Sequence, residues 1–210
     1  LELLAFVTDF ADQAVVLPVA IMVLACLAVS GWRRGALAWA ACIGATLGAT
    51  LVLKLLTMAC GIGDVAGLES PSGHSAGATA VYGGLCSLFV RGRAAGVLVA
   101  GLAALMVAAV VGATRVGLGM HTLADVCVGG AVGLAGACSM RALAGTRSAA
   151  LQTRRVVVAV VAAMMLFHGH RLDAEPRLRW AAARIWPLTL CRPATAPSAS
   201  RGGHPFTGPA

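Results

Sequence analysis

Five apolar runs of membrane-spanning length constrain this chain more than any other feature. They cover residues 14–30, 36–56, 75–90 extended back through 72–74, 94–114 and 122–140. Each offers roughly 17 to 22 residues, enough as a helix for a hydrocarbon layer of about 30 Å, and within lipid a helix satisfies its own backbone hydrogen bonds. A further run, Val156 to Phe167, would reach only about 18 Å and is either a short sixth span or an interfacial segment. Composition agrees: 59% of residues are hydrophobic and 11% charged, against about 25% charged in soluble domains. The predicted fold class is all-α, a polytopic membrane helical bundle with five clear spans and a short sixth.

The connections between runs sort by charge. Arg33, Arg34, Arg91, Arg93, Arg141, Arg147, Arg154 and Arg155 fall in alternate connections, whereas the opposite ones hold only Lys54 and Arg115 as bases. By the positive-inside rule the arginine-rich side is cytoplasmic. The expected location is therefore a bacterial inner membrane, with Lys54 and Arg115 on the periplasmic side. Residues 1–13 begin with an acid and no base, unlike a signal peptide, and Leu3, Leu4, Val7, Phe10 and Ala14 predict an amphipathic helix lying on the membrane. The membrane domain is assigned to 14–170. Residues 171–191 are expected to form an interfacial helix with Trp180 and Trp186 at headgroup depth, and 192–210 a disordered tail. The tail's arginines conflict with the charge rule if 156–167 spans.

Seven Cys lie mostly inside apolar runs without a CxxC pair and are expected to be small packing residues. The net charge of +8 carries no basic patch with interleaved aromatics, so nucleic-acid binding is not expected. The acids are scattered and the His168-Gly169-His170 pair sits in a polar linker, so neither a metal nor another cofactor is expected.

Two polar clusters interrupt the apolar sequence. In Ser70-Pro71-Ser72-Gly73-His74, Ser70 suits an N-cap and Pro71 the first helical position. The free N–H groups of Ser72, Gly73 and His74 would then offer an anion site beside an imidazole. In Thr114 to Asp125, Gly117 and Gly119 permit a reversal, Thr122 can cap the next helix, and Asp125 lies four residues past His121 on one helical face. A carboxylate there can hold one imidazole nitrogen and leave the other as a nucleophile, while Arg115 offers a planar fork to phosphate oxygens. A capping box alone would explain Asp125 but neither Arg115 nor His121. Lys54, the sole lysine, sits on the same side at the end of the second run. A snorkelling anchor is its bland reading; the company of both clusters favours a third cationic contact to phosphate.

These residues resemble the type 2 phosphatidic acid phosphatase superfamily of integral membrane lipid phosphatases. Its PSGH motif is matched by residues 71–74, and its (S/T)R-x5-H-x3-D motif by Thr114, Arg115, His121 and Asp125. Its K-x6-R-P motif is matched only by Lys54, because Gly61 and Ile62 stand where Arg and Pro belong. The resemblance covers roughly 14–140 and implies His121 as nucleophile oriented by Asp125, His74 as the acid and then the base, and Lys54, Arg115, Ser72 and Gly73 as phosphate ligands. It also implies a lipid phosphate or pyrophosphate substrate among membrane lipids, with no obligate protein partner. A lipid phosphotransferase would use the same residues, and a non-catalytic lipid-binding or transport protein would fit the incomplete first motif. A soluble haloperoxidase, which shares the motifs, is excluded by the spans.

Overall fold

The structure, a computed structural model, describes residues 1–60, 67–172 and 175–185. These form the helices α1 (Glu2–Asp9), α2 (Gln13–Val29), α3 (Arg33–Cys60), α4 (Gly73–Ser87), α5 (Arg93–Gly117), α6 (Leu123–Ala144), α7 (Thr153–Phe167) and α8 (Glu175–Ile185). No strand occurs among the described residues. The all-α expectation holds.

Four of the five expected spans correspond to segments of membrane-crossing length. Among the described residues these are Glu2–Val29, Arg33–Met58, Arg93–Gly117 and Leu123–Ala144, each long and apolar enough to cross a membrane. The expected third span is α4, with 15 residues, a length of only about 22 Å. It packs against α3, α5 and α6, and Ala76, Ala78, Thr79, Ala80 and Val81 are fully buried. α7 is equally short, at 15 residues. By contrast α5 turns Leu98, Leu102, Leu105 and Met106 outward, each more than half exposed, as a lipid-facing helix should.

Glycines set how closely α4 lies on α6. A Cβ at Gly129 would collide with the Ser72 carbonyl oxygen, and one at Gly133 with the Ala76 carbonyl oxygen. Small residues one turn apart thus let the two backbones touch, a recurrent device where hydrophobic transfer gives no preference for helix contact over lipid contact. This approach brings the start of α4 onto the first turn of α6. Elsewhere the core is larger: Val15, Val16, Val19, Val23 and Leu27 of α2 pack with Trp39 and Ile43 of α3 and with Val156 and Val160 of α7. The Trp39 Nε1 donates to the Ala20 carbonyl at 2.9 Å, satisfying its one donor inside that core.

The arginine-rich connections meet at one end of the bundle. Arg34 Nε donates to the Leu143 carbonyl at 2.8 Å. Arg141 is fully buried and donates through Nη2 to the carbonyls of Val90 and Gly92, both at 3.0 Å. It therefore seals the α4–α5 connection rather than lying in an exposed loop. At the opposite end the polar clusters gather with α1 and α8. α7 packs along α2 and returns the chain there, where Arg171 makes a two-pronged pair with Asp9 at 2.9 and 3.3 Å. The tail arginines thus sit opposite the other arginine-rich connections. Arg171 is matched by a carboxylate and Arg184 lies 3.6 Å over the Trp180 ring.

The segments expected at the membrane surface contain the short helices α1 and α8. Leu1, which precedes α1, and Leu3 and Phe6 within it are exposed, while Thr8 and Asp9 are buried. α8 exposes Trp180 and buries Ala182 against the bundle. Trp186 and the 192–210 tail lie outside the described residues. Of the described cysteines, Cys42 is buried and Cys26 and Cys138 are half-buried, but Cys86 and Cys127 are exposed on the faces of α4 and α6.

Candidate active site

Asp125 is the hub of the site. Thr122 caps α6: its hydroxyl accepts from the Asp125 N–H at 3.1 Å, and the Thr122 N–H donates to Asp125 Oδ2 at 3.2 Å, closing a capping box. The same oxygen faces His121 Nδ1 at 3.3 Å. The other oxygen, Oδ1, accepts from the Ser70 N–H at 2.8 Å. With Asp125 1% exposed, these contacts satisfy a carboxylate that would be costly to bury alone. Cap and histidine partner are therefore one residue. Gly119, at φ 65°, makes the reversal that returns His121 to this face, whereas Gly117 closes α5 in helical geometry.

The N-cap of α4 is Ser72 rather than the predicted Ser70. Ser70 is already committed, its N–H to Asp125 and its hydroxyl to Lys54 Nζ at 3.0 Å. The extended Ser72 instead accepts from the Ser75 N–H at 3.3 Å and donates its own N–H to the Asp125 carbonyl at 3.0 Å. Ser72 is fully buried. Its hydroxyl is used in the cap, so of the PSGH residues it is Gly73 and His74 that face the cavity. A Cβ on Gly73 would meet only Lys54 Cε, at 3.8 Å, so backbone and lysine stem are neighbours.

His74 has a carboxylate of its own, which the sequence reading did not find. Its Nε2 faces Asp12 Oδ2 at 3.2 Å. Asp12 is also the N-cap of α2, accepting from the Ala14 N–H at 2.8 Å, and it accepts from the Leu172 N–H at 3.0 Å. Neighbouring contacts hold this junction: Gln13 Nε2 donates to the Gly73 carbonyl at 3.0 Å, and the Tyr82 hydroxyl to the Phe10 carbonyl at 2.6 Å. The one signal available in the sequence was an Asp immediately before an apolar run, which marks a helix start and names no partner.

A cavity of 490 Å³ gathers Lys54, Gly73, His74, Arg115 and His121, with Leu17, Leu47 and Leu51 on its apolar side and Arg179 of α8 at its edge. A second cavity of 370 Å³ continues past His121 to Ser70 and Asp125, again bordered by Arg179. Lys54 is buried, so it is no snorkelling anchor. Burial is the main cause that holds His121 below the usual imidazole range; the Asp125 hydrogen bond opposes it, and the charges of Arg115 and Lys54 reinforce it. The shift favours the neutral ring, the form with a lone pair to give. Among the described residues, no three His, Cys, Asp or Glu side chains group as a metal site.

Comparison with known proteins adds one finding. Residues 60–149 match the model of the PAP2 superfamily. Neither the curated proteins nor the solved structures give a significant match. Gly61 and Ile62, at the departure in the first motif, lie outside the described residues. The PSGH segment and the Arg115–His121–Asp125 motif both fall inside the matched region, and both converge on one cavity. Over residues 60–149 the chain is similar to the PAP2 superfamily, whose members are generally phosphatases.

Proposed function

We propose that the chain is a membrane lipid phosphatase that hydrolyses a lipid phosphate or pyrophosphate at the periplasmic face through a phosphohistidine. The observation that carries this reading is His121, its Nδ1 on a buried carboxylate, in a cavity that also holds His74, Lys54 and Arg115. With Nδ1–H donated to Asp125, the Nε2 lone pair attacks phosphorus, and the bond from phosphorus to the leaving oxygen breaks. His74 gives that oxygen its proton. Because Nε2 of His74 is engaged by Asp12, Nδ1 is the nitrogen left for the exchange. Water then attacks the phosphohistidine, His74 takes the water's proton, and inorganic phosphate leaves with His121 restored.

Lys54, Arg115 and the backbone of Gly73 stabilise charge on the equatorial oxygens. Ser72 contributes by capping α4 and so fixing where Gly73 and His74 stand. The apolar wall of Leu17, Leu47 and Leu51, contributed by α2 and α3, supports a substrate with a hydrocarbon tail. The test is phosphate release by the purified protein in detergent from phosphatidic acid, polyprenyl pyrophosphate, phosphatidylglycerol phosphate and lipid A phosphates. Release from at least one is expected, and none from any of them overturns the reading. For the orientation, a cysteine introduced beside Ser72 or Gly119 in a background without the exposed native thiols should react with an impermeant reagent in intact cells. Labelling beside Arg91 instead would invert it.

A further inference from the structure

We propose that Arg179, on the C-terminal helix α8, supplies the phosphate-binding arginine whose place in the first motif is taken by Gly61. This rests on the phosphatase reading above and concerns how that site binds its substrate. Arg179 borders both cavities that flank His121, sharing one with Lys54, His74 and Arg115 and the other with Ser70 and Asp125. Its place follows from the helix period. Leu178, Arg179, Ala182 and Ala183 line the cavities, and their spacing of one, three and four residues keeps them on one face of α8.

The remaining α8 arginines behave differently. Arg177 lines neither cavity, and Arg184 stacks on the exposed Trp180. α8 is also fixed at its start: the preceding Arg171 and Leu172 are bonded to Asp9 and Asp12, and Asp12 is the residue that holds His74. The tether therefore joins the helix that carries Arg179 to the proton-transfer half of the site. A guanidinium there would complete, with Lys54 and Arg115, a set of three cations around a tetrahedral phosphate, and its planar fork can take two oxygens at once. The arginine would come from the far end of the chain instead of the seventh residue after Lys54.

The bland alternative is that α8 carries arginines only to meet lipid headgroups, and orthovanadate in phosphate-free detergent separates the two. Full-length Arg179→Ala should bind vanadate at least about tenfold more weakly than the wild type, as expected for a lost charge-assisted contact. It should raise KM for nitrophenyl phosphate as well. Arg179→Lys, which keeps the charge, or Gly61→Arg added to Arg179→Ala, which restores the motif, should recover part of the loss. Arg177→Ala should stay within twofold of the wild type. Vanadate affinity unchanged in Arg179→Ala overturns the proposal, and so does an equal loss in Arg177→Ala or a loss that neither rescue improves. A wild-type protein that neither binds vanadate nor releases phosphate would instead defeat the phosphatase reading itself.

Discussion

Asp12 and His74 stand 62 residues apart in the chain and meet at 3.2 Å. Asp12 combines two tasks, since one of its oxygens caps α2 and binds Leu172 while the other holds the imidazole. The two can be separated, because Asn caps a helix about as well as Asp but lacks the charge. Asp12→Asn should leave the melting temperature close to that of the wild type yet lower kcat for a lipid alcohol phosphate. The loss should be smaller with nitrophenyl phosphate, whose leaving group needs little protonation. Asp12→Ala should add a stability loss of about 1 kcal/mol. Equal losses with both substrates would assign Asp12 a purely structural role.

His121→Ala should remove turnover by several orders of magnitude without unfolding the protein, as for other covalent nucleophiles. The intermediate gives the sharper measurement. Rapid quenching with ³²P-labelled substrate should trap an acid-labile, base-stable phosphoenzyme in His74→Ala and none in His121→Ala. Label on any residue other than His121 would reverse the assignment of roles.

The second motif was legible because its central contact is local. His121 and Asp125 are four residues apart, a spacing that a helical start converts directly into the 3.3 Å pair. The Asp12–His74 pair was hidden because it depends on how α2 packs against α4, which no short-range spacing encodes. The cap at Ser72 was missed for a similar reason: Asp125 and Lys54, both distant in sequence, claim Ser70 first. The central place of α4 was not legible because Ala and Gly runs read alike whether they face lipid or protein, and most of α4 faces protein. Nor does composition reveal that α8, whose outer face reads as interfacial, lays its other face along the site.

The pH profile should follow His121. Burial, Arg115 and Lys54 lower its pKa and Asp125 raises it, with the balance below the ordinary 6.5. Since the proposed nucleophile is the neutral ring, the acid limb of kcat/KM should lie below that value, with activity lost as the pH drops through the lowered pKa. Asp125→Asn removes the raising contributions, so its acid limb should move to still lower pH. Its plateau should fall by about 10²- to 10⁴-fold, because the charge that stabilises the imidazolium is lost. Rate profiles from acid to neutral pH check both statements, and an acid limb displaced upward in Asp125→Asn would contradict the electrostatic account.

The proposed catalysis by fixed cations and histidine uses no bound metal, so phosphate release should survive excess EDTA. Activity lost to the chelator and restored by Mg²⁺ or Zn²⁺ would require a different mechanism.

The approach of α4 to α6 offers a last test, one that links packing to chemistry. A side chain at Gly133 must displace the Ala76 carbonyl and the Thr79 side chain, which would lie 2.7 Å from its Cβ. Rigid backbone cannot yield as a flexible side-chain tip can, so Gly133→Val should destabilise the protein by about 1 to 3 kcal/mol. The damage should extend beyond stability. Separating the helices pulls Ser70 and Ser72 from their bonds to Asp125, and with them the registry of Gly73 and His74 against His121. Turnover measured well below the variant's melting temperature should therefore fall by more than the folded fraction does, since displacement of about 1 Å at a reacting centre can cost about 10²-fold. Gly101→Ala supplies the control, because a Cβ there meets only Cys138 Sγ, at 3.6 Å. It should leave both melting temperature and turnover close to those of the wild type. A Gly133→Val protein that melts early but turns over normally while folded would show that the helix contact supports the fold without setting the geometry of the site.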